Sequence, residues 1–133
     1  LPLARRVATV AGVEGEHGLV ARAGENARRN GIDNVQFHVA NLLEDQRDTP
    51  WARATWDKLL LDPPRSGAAA VLEYLPRKDT RRVVYVSCHP GSLARDSGIL
   101  VERHGFRLEA AGVMDMFPHT AHVESIALFV RPS

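Results

Sequence analysis

The sequence predicts an α/β fold, a mostly parallel sheet flanked by helices and closed by an antiparallel edge. Three observations carry that expectation. Short β-compatible apolar runs alternate with amphipathic helical segments over most of the chain. The runs end at turn or polar residues, so each element has a stop. The final two strand-like runs follow one another with no helical segment between them, which asks for antiparallel pairing on one side. At 133 residues, 44% hydrophobic and 25% charged, the chain has the size and balance of one globular domain spanning 1–133.

The elements follow in order. Residues 7–13 form the first apolar run, ending at Glu14. Residues 16–30 read as a helix with Leu19, Val20, Ala23 and Ala27 on one face, stopped by Asn30 and Gly31. Residues 35–39 alternate as a strand does. Residues 57–62 are a short buried strand broken by Pro63 and Pro64, and 68–74 a short helix before Pro76. A strand over 82–87 is followed by a helix over 92–103, with Leu93, Leu100 and Val101 inward and His104-Gly105 as the stop. Strands over 106–113 and 125–130 close the chain. Leu1 to Ala4 open it with no cap or turn signal, as expected of a chain cut from a longer one.

Composition removes several classes of function. No stretch approaches the roughly 20 apolar residues of a membrane-spanning helix, so no membrane partner is expected. The single cysteine, Cys88, excludes an internal disulfide and a cysteine-based zinc cluster. It fits a reducing, cytoplasmic setting. The net charge of +1 provides no global basic field, although 15 of the 17 cations are arginine, the residue suited to bidentate phosphate contacts.

In parallel α/β sheets, ligands lie beyond the carboxyl ends of the strands. Glu14, Asn41, Asp62 and Cys88 all fall at or just past such an end. In nucleotide-binding folds an acid at the place of Glu14 accepts hydrogen bonds from ribose hydroxyls, some 20 residues after a glycine-rich turn. No such turn precedes Glu14 here, and a solvated strand-end carboxylate is the plain alternative. Asp62-Pro63-Pro64-Arg65 makes a rigid strand exit that points the acid into the cleft. Related turns in amino-methyltransferases position an exocyclic amine, so the motif reads as methyltransferase-like without naming a target atom. Cys88 stands between an apolar strand and a helix, where the helix dipole stabilises a thiolate; a small buried hydrophobe is the ordinary alternative. His119, His122 and Glu124 have the residue types of metal ligands but lie on no predicted helix, and no metal is assigned.

Taken together, Leu61-Asp62-Pro63-Pro64-Arg65, Val86-Ser87-Cys88-His89-Pro90 with Leu93-Ala94-Arg95-Asp96, and Asp115-Met116-Phe117-Pro118-His119-Thr120 with His122 and Glu124 resemble the RNA uracil-5-methyltransferase family. The resemblance runs through essentially the whole chain and is nearest to the bacterial 23S ribosomal RNA members. It implies a Rossmann-like class I methyltransferase sheet that lacks its first strand and glycine-rich loop, with S-adenosylmethionine as cofactor and RNA as partner. It also implies roles. Cys88 would be the nucleophile and Glu124 the base. Glu14 and Asn41 would hold the ribose and adenine side of the cofactor, and Asp62 would lie between the cofactor and the target base. His89 departs from the family's usual Asn. Larger members carry an N-terminal RNA-binding β-barrel and an iron–sulfur segment, neither of which lies in 1–133. Three alternatives stand beside this reading: a transfer RNA substrate, an amino-methyltransferase using Asp62 without covalent catalysis, and a non-catalytic Rossmann-like binding module.

Overall fold

In the computed structural model, residues 2–114 and 124–132 are described. The order of elements is β1 (Val10–Glu14), α1 (His17–Arg29), β2 (Val35–Val39), α2 (Pro50–Arg53), β3 (Lys58–Leu61), α3 (Ala69–Leu72), β4 (Arg82–Ser87), α4 (Pro90–Glu102), β5 (Arg107–Met114) and β6 (Glu124–Val130). A 3-10 turn, Pro2–Arg5, precedes them. β1 and β2 pair in parallel from Val10↔Val35 to Glu14↔Val39. β3 and β4 pair in parallel from Lys58↔Arg82 to Leu61↔Tyr85. β6 runs antiparallel to both β4 and β5, and therefore sits between them. The antiparallel edge expected from the two final strands is present, with the last strand of the chain on its inner side.

The strands form two sheets, β1-β2 and β3-β4-β6-β5. β1 pairs only with β2 and β3 only with β4 among the described residues.

Alternation along the strands decides where the core lies. Leu59, Leu61, Val83, Tyr85, Ala127 and Phe129 share one face of the four-stranded sheet, as their register shows. Leu72, Leu75, Leu100 and Phe106 close over that face, with Val83, Tyr85, Leu72, Leu100 and Phe129 wholly buried. The opposite face is more open, with Leu60 exposed and Val84 and Val86 half-buried.

Several elements differ from expectation for identifiable reasons. The first strand starts at Val10, three residues later than predicted, because the Asn34 side-chain amide donates to the carbonyls of Ala4 at 2.7 Å, Val7 at 3.0 Å and Ala8 at 3.2 Å. That one side chain holds residues 4–8 out of the ladder. α2 was not foreseen; Pro50 occupies its first turn, where the missing N–H costs nothing, and Trp51 and Ala52 are buried. α3 is shorter than 68–74, ending at Leu72. In α4 the inward row is Ser92, Asp96 and Leu100, four residues apart, and Val101 faces out. An apolar periodicity could not place two polar residues on the buried side. On α1 only Ala27 is fully buried, and Leu19 is exposed rather than part of a core face.

Candidate active site

Four of the five singled-out residues stand where strand ends put them. Glu14 is the last residue of β1, Asn41 lies two residues past β2, Asp62 one past β3 and Cys88 one past β4. All four are exposed. Glu124, the fifth, is the half-buried first residue of β6. It reaches the end of β4 that leads into Cys88 because β6 is antiparallel to β4. Ser87 pairs with Ser125, so Cys88 and Glu124 each lie one residue beyond that pair, on the same side of it. Leu61 pairs with Tyr85, so Asp62 leaves its strand alongside Val86, two residues before Cys88. Residues 36 apart in sequence are thereby brought together by sheet register alone.

Local hydrogen bonds shape each position. One oxygen of Glu14 accepts the Gly15 N–H at 3.0 Å, leaving the second carboxylate oxygen for another donor. Asn41 Oδ1 accepts the Leu43 N–H at 3.0 Å, an Asx turn that leaves the side-chain NH₂ group to donate. A carboxylate acceptor at the end of β1 and an amide donor just past the end of β2 suit a ribose and an adenine edge, so the residues present fit S-adenosylmethionine.

The Cys88 backbone is bracketed by its neighbours. Ser87 Oγ accepts the His89 N–H at 3.0 Å and donates to the His89 carbonyl at 2.9 Å. His89 is the N-cap of α4: its Nδ1 accepts the Ser92 N–H at 3.1 Å. That bond requires a bare Nδ1, so the neutral ring carries its proton on Nε2. The His at the place of the family's usual Asn thus supplies the same kind of cap through a ring nitrogen. Cys88 directly precedes this capped terminus of a 13-residue helix.

The segment after Asp62 is tied to the same helix. Ser92 Oγ donates to the Arg65 carbonyl, Arg95 Nη2 donates to the Ser66 carbonyl at 2.6 Å, and Asp96 Oδ2 accepts the Ala68 N–H at 2.8 Å. Asp96 is completely buried. Burying a carboxylate costs several kcal/mol unless donors surround it, and here the Tyr85 hydroxyl at 2.5 Å and Arg95 Nε at 3.1 Å complete the set. Burial first, and then the Asp96 carboxylate, push the Tyr85 phenol well above its ordinary value, so it stays an O–H donor. Gly67 makes the close approach feasible. Its φ is +84°, and a Cβ there would lie 2.6 Å from Asp96 Oδ2. Gly67→Ala is expected to destabilise the fold by about 3 kcal/mol, from the positive φ and the overpacking together, read as a lowered urea midpoint at unchanged slope.

Sequence reasoning quoted Arg95 and Asp96 only as part of a motif and gave Tyr85, Ser92 and Gly67 no role. A polar pair at i and i+4 on an otherwise apolar helix face was the available signal. His119 and His122 lie outside the described residues. Among the described residues, no group of three or more His, Cys, Asp or Glu side chains is placed to hold a metal ion.

The arrangement is that of a class I S-adenosylmethionine-dependent methyltransferase sheet. Solved structures agree on the fold. Precorrin 8w decarboxylase from Methanobacterium thermoautotrophicum superposes with a TM-score of 0.72 at 12% identity, covering 98% of this chain and 74% of that one. Magnesium protoporphyrin IX methyltransferase from Synechocystis PCC 6803, with bound SAM, gives 0.69 at 19% identity, over 98% of this chain and 63% of that one. A model of the tRNA (uracil-5-)-methyltransferase family matches residues 1–131, and the chain belongs to that family. It is 70% identical over 131 residues to a 23S rRNA (uracil-C5)-methyltransferase, RlmD, of Xanthomonas euvesicatoria pv. vesicatoria strain 85-10, and equally to that of Stenotrophomonas maltophilia strain K279a. Each match covers 98% of this chain but 30% of the relative, so the chain spans about a third of the length of these proteins.

Proposed function

We infer that residues 1–133 are a truncated S-adenosylmethionine-dependent catalytic domain, the C-terminal part of an enzyme that methylates C5 of a uridine in 23S ribosomal RNA through a covalent Cys–C6 adduct. The observation that carries the reading is the register that sets Cys88 and Glu124 one residue beyond the Ser87↔Ser125 pair, beside the exit of Asp62. An amino-methyltransferase would have no use for that pair. The identity to ribosomal RNA enzymes favours 23S over transfer RNA as substrate. An RNA partner and a cytoplasmic place of action accompany the reading. No helix among the described residues is long and apolar enough to cross a membrane.

The chemistry needs these residue types. Uracil C5 is a poor carbon nucleophile. The Cys88 thiolate forms a bond to C6, and the displaced electron pair makes an enolate with nucleophilic character at C5. S-adenosylmethionine, when bound, supplies an electrophilic sulfonium methyl. Glu124 then takes the C5 proton, the C5–C6 double bond re-forms, and the C6–S bond breaks to return the thiolate. Glu14 and Asn41 bind the cofactor's ribose and adenine side, and Asp62 lies between cofactor and base. The uridine has to leave its stack to reach this edge.

Trapping tests the reading. Incubating the intact methyltransferase with S-adenosylmethionine and a 23S fragment bearing 5-fluorouridine is expected to give a covalent protein–RNA species, since fluorine at C5 cannot leave as a proton does. An active enzyme that forms no such species would overturn the covalent route. The 133-residue chain alone is expected to be catalytically silent. No glycine-rich turn precedes Glu14 within residues 1–133 to supply backbone donors to the cofactor, and β1 and β3 lie in separate sheets. Calorimetric titration should find S-adenosylmethionine binding weaker than ~10 μM, about −7 kcal/mol.

A further inference from the structure

The segment 62–68 and the Cys88 turn belong to different crossovers, yet one helix face holds both. Ser92, Arg95 and Asp96 stand at i, i+3 and i+4 on α4. They bond in turn to the Arg65 carbonyl, the Ser66 carbonyl and the Ala68 N–H. The same helix starts immediately after Cys88, and its Ser92 also donates its backbone N–H to the His89 cap. Tyr85, three residues before Cys88 on β4, reaches across to the same Asp96 oxygen that holds Ala68. Asp96 therefore joins the strand that leads into Cys88, the helix that leaves it, and the loop that carries Asp62. It is wholly buried, as is Tyr85, so neither can contact RNA or cofactor in this fold. Leucine or methionine would fill the same volume on an inward helix position. What a carboxylate adds is direction: three donors from three separate pieces of chain converge on it.

We propose that Asp96 is a positioning residue that locks the Asp62 loop and the Cys88 turn into one rigid unit, so that the cofactor side and the nucleophile side of the site keep a constant separation. This rests on the uracil-5 reading for its meaning, but the mechanical coupling between Asp96 and Cys88 is measurable without it. Tyr85 and Gly67 serve the same lock, one as a donor and the other as the gap through which the loop passes.

The test uses two readouts. The first is thiol exchange of the 133-residue chain with an aromatic disulfide between pH 7 and 9; Cys88 is its only thiol. Asp96→Ala is expected to change the Cys88 rate at least fivefold, and Asp96→Asn, which keeps an acceptor oxygen, to stay within twofold of the parent. Asn34→Ala releases residues 4–8, far along the chain from Cys88, and serves as a destabilised control that leaves the Cys88 rate unchanged. Equal effects of Asn34→Ala and Asp96→Ala would mean general loosening and would overturn the lock, as would an unchanged rate in Asp96→Ala. The second readout is methyl transfer by the intact enzyme. Asp96→Ala is expected to lower kcat at least 30-fold with KM for S-adenosylmethionine within threefold, and Asp96→Asn to recover most of it. A KM effect without a kcat effect would place Asp96 in cofactor binding instead and overturn the proposal. If the parent enzyme forms no adduct with 5-fluorouridine RNA, the uracil-5 reading fails, while the thiol comparison still decides for or against the lock.

Discussion

Cys88→Ala in the intact methyltransferase is expected to abolish methyl transfer, lowering turnover by about four orders of magnitude or more, as loss of a covalent nucleophile does. S-adenosylmethionine affinity should hardly move, because Glu14 and Asn41 sit at the ends of β1 and past β2, in a separate sheet from Cys88. The fold should also hold, since the thiol is exposed and the turn is kept by Ser87 and His89 rather than by sulfur. Methyl incorporation into a 23S fragment, beside calorimetric cofactor binding, measures both. Turnover near the parent rate would remove Cys88 from the mechanism.

Glu124→Gln should fail later in the cycle. The amide keeps the shape of the side chain but cannot take the C5 proton. Methyl transfer then proceeds to the adduct and stalls there, so a protein–RNA species should survive denaturing electrophoresis with ordinary, unfluorinated RNA. The overall rate should fall by about two to four orders of magnitude, the usual worth of a general base. Loss of activity with no trapped species would instead give Glu124 a structural role at the start of β6. The two variants give opposite results, one forming no adduct and the other accumulating it.

The parts of this architecture that were legible in advance share one property: their cause is local. Pro63 and Pro64 end a strand whatever surrounds them, and Asn30-Gly31 stops a helix by its own conformational preference. Strand ends fixed by such stops were enough to place Glu14 and Asn41 at the strand ends of one sheet and Asp62 and Cys88 at those of the other. The face of α4 was not legible, because Ser92 and Asp96 are inward only by virtue of Tyr85, Arg65 and Ala68, which lie up to 28 residues upstream of the residues they bond. Apolar periodicity favoured Val101 over these two polar residues. The start of β1 was hidden for the same reason, since it depends on the Asn34 amide some 30 residues away. The cap at His89 was also unread: a histidine is a rare cap, and only the Nδ1 contact with Ser92 reveals it.

The placing of β6 between β4 and β5 has an evolutionary consequence. Cys88 and Glu124 each lie one residue beyond the Ser87↔Ser125 pair, whose strands stand at the inter-strand pitch of roughly 4.8 Å. The β4–β6 ladder, from Arg82↔Val130 to Ser87↔Ser125, is built from residues outside 115–123. A lineage can therefore lengthen or rewrite the connection between β5 and β6 while that pairing keeps its register. In such a layout the length of the connection and the register of the strands drift independently.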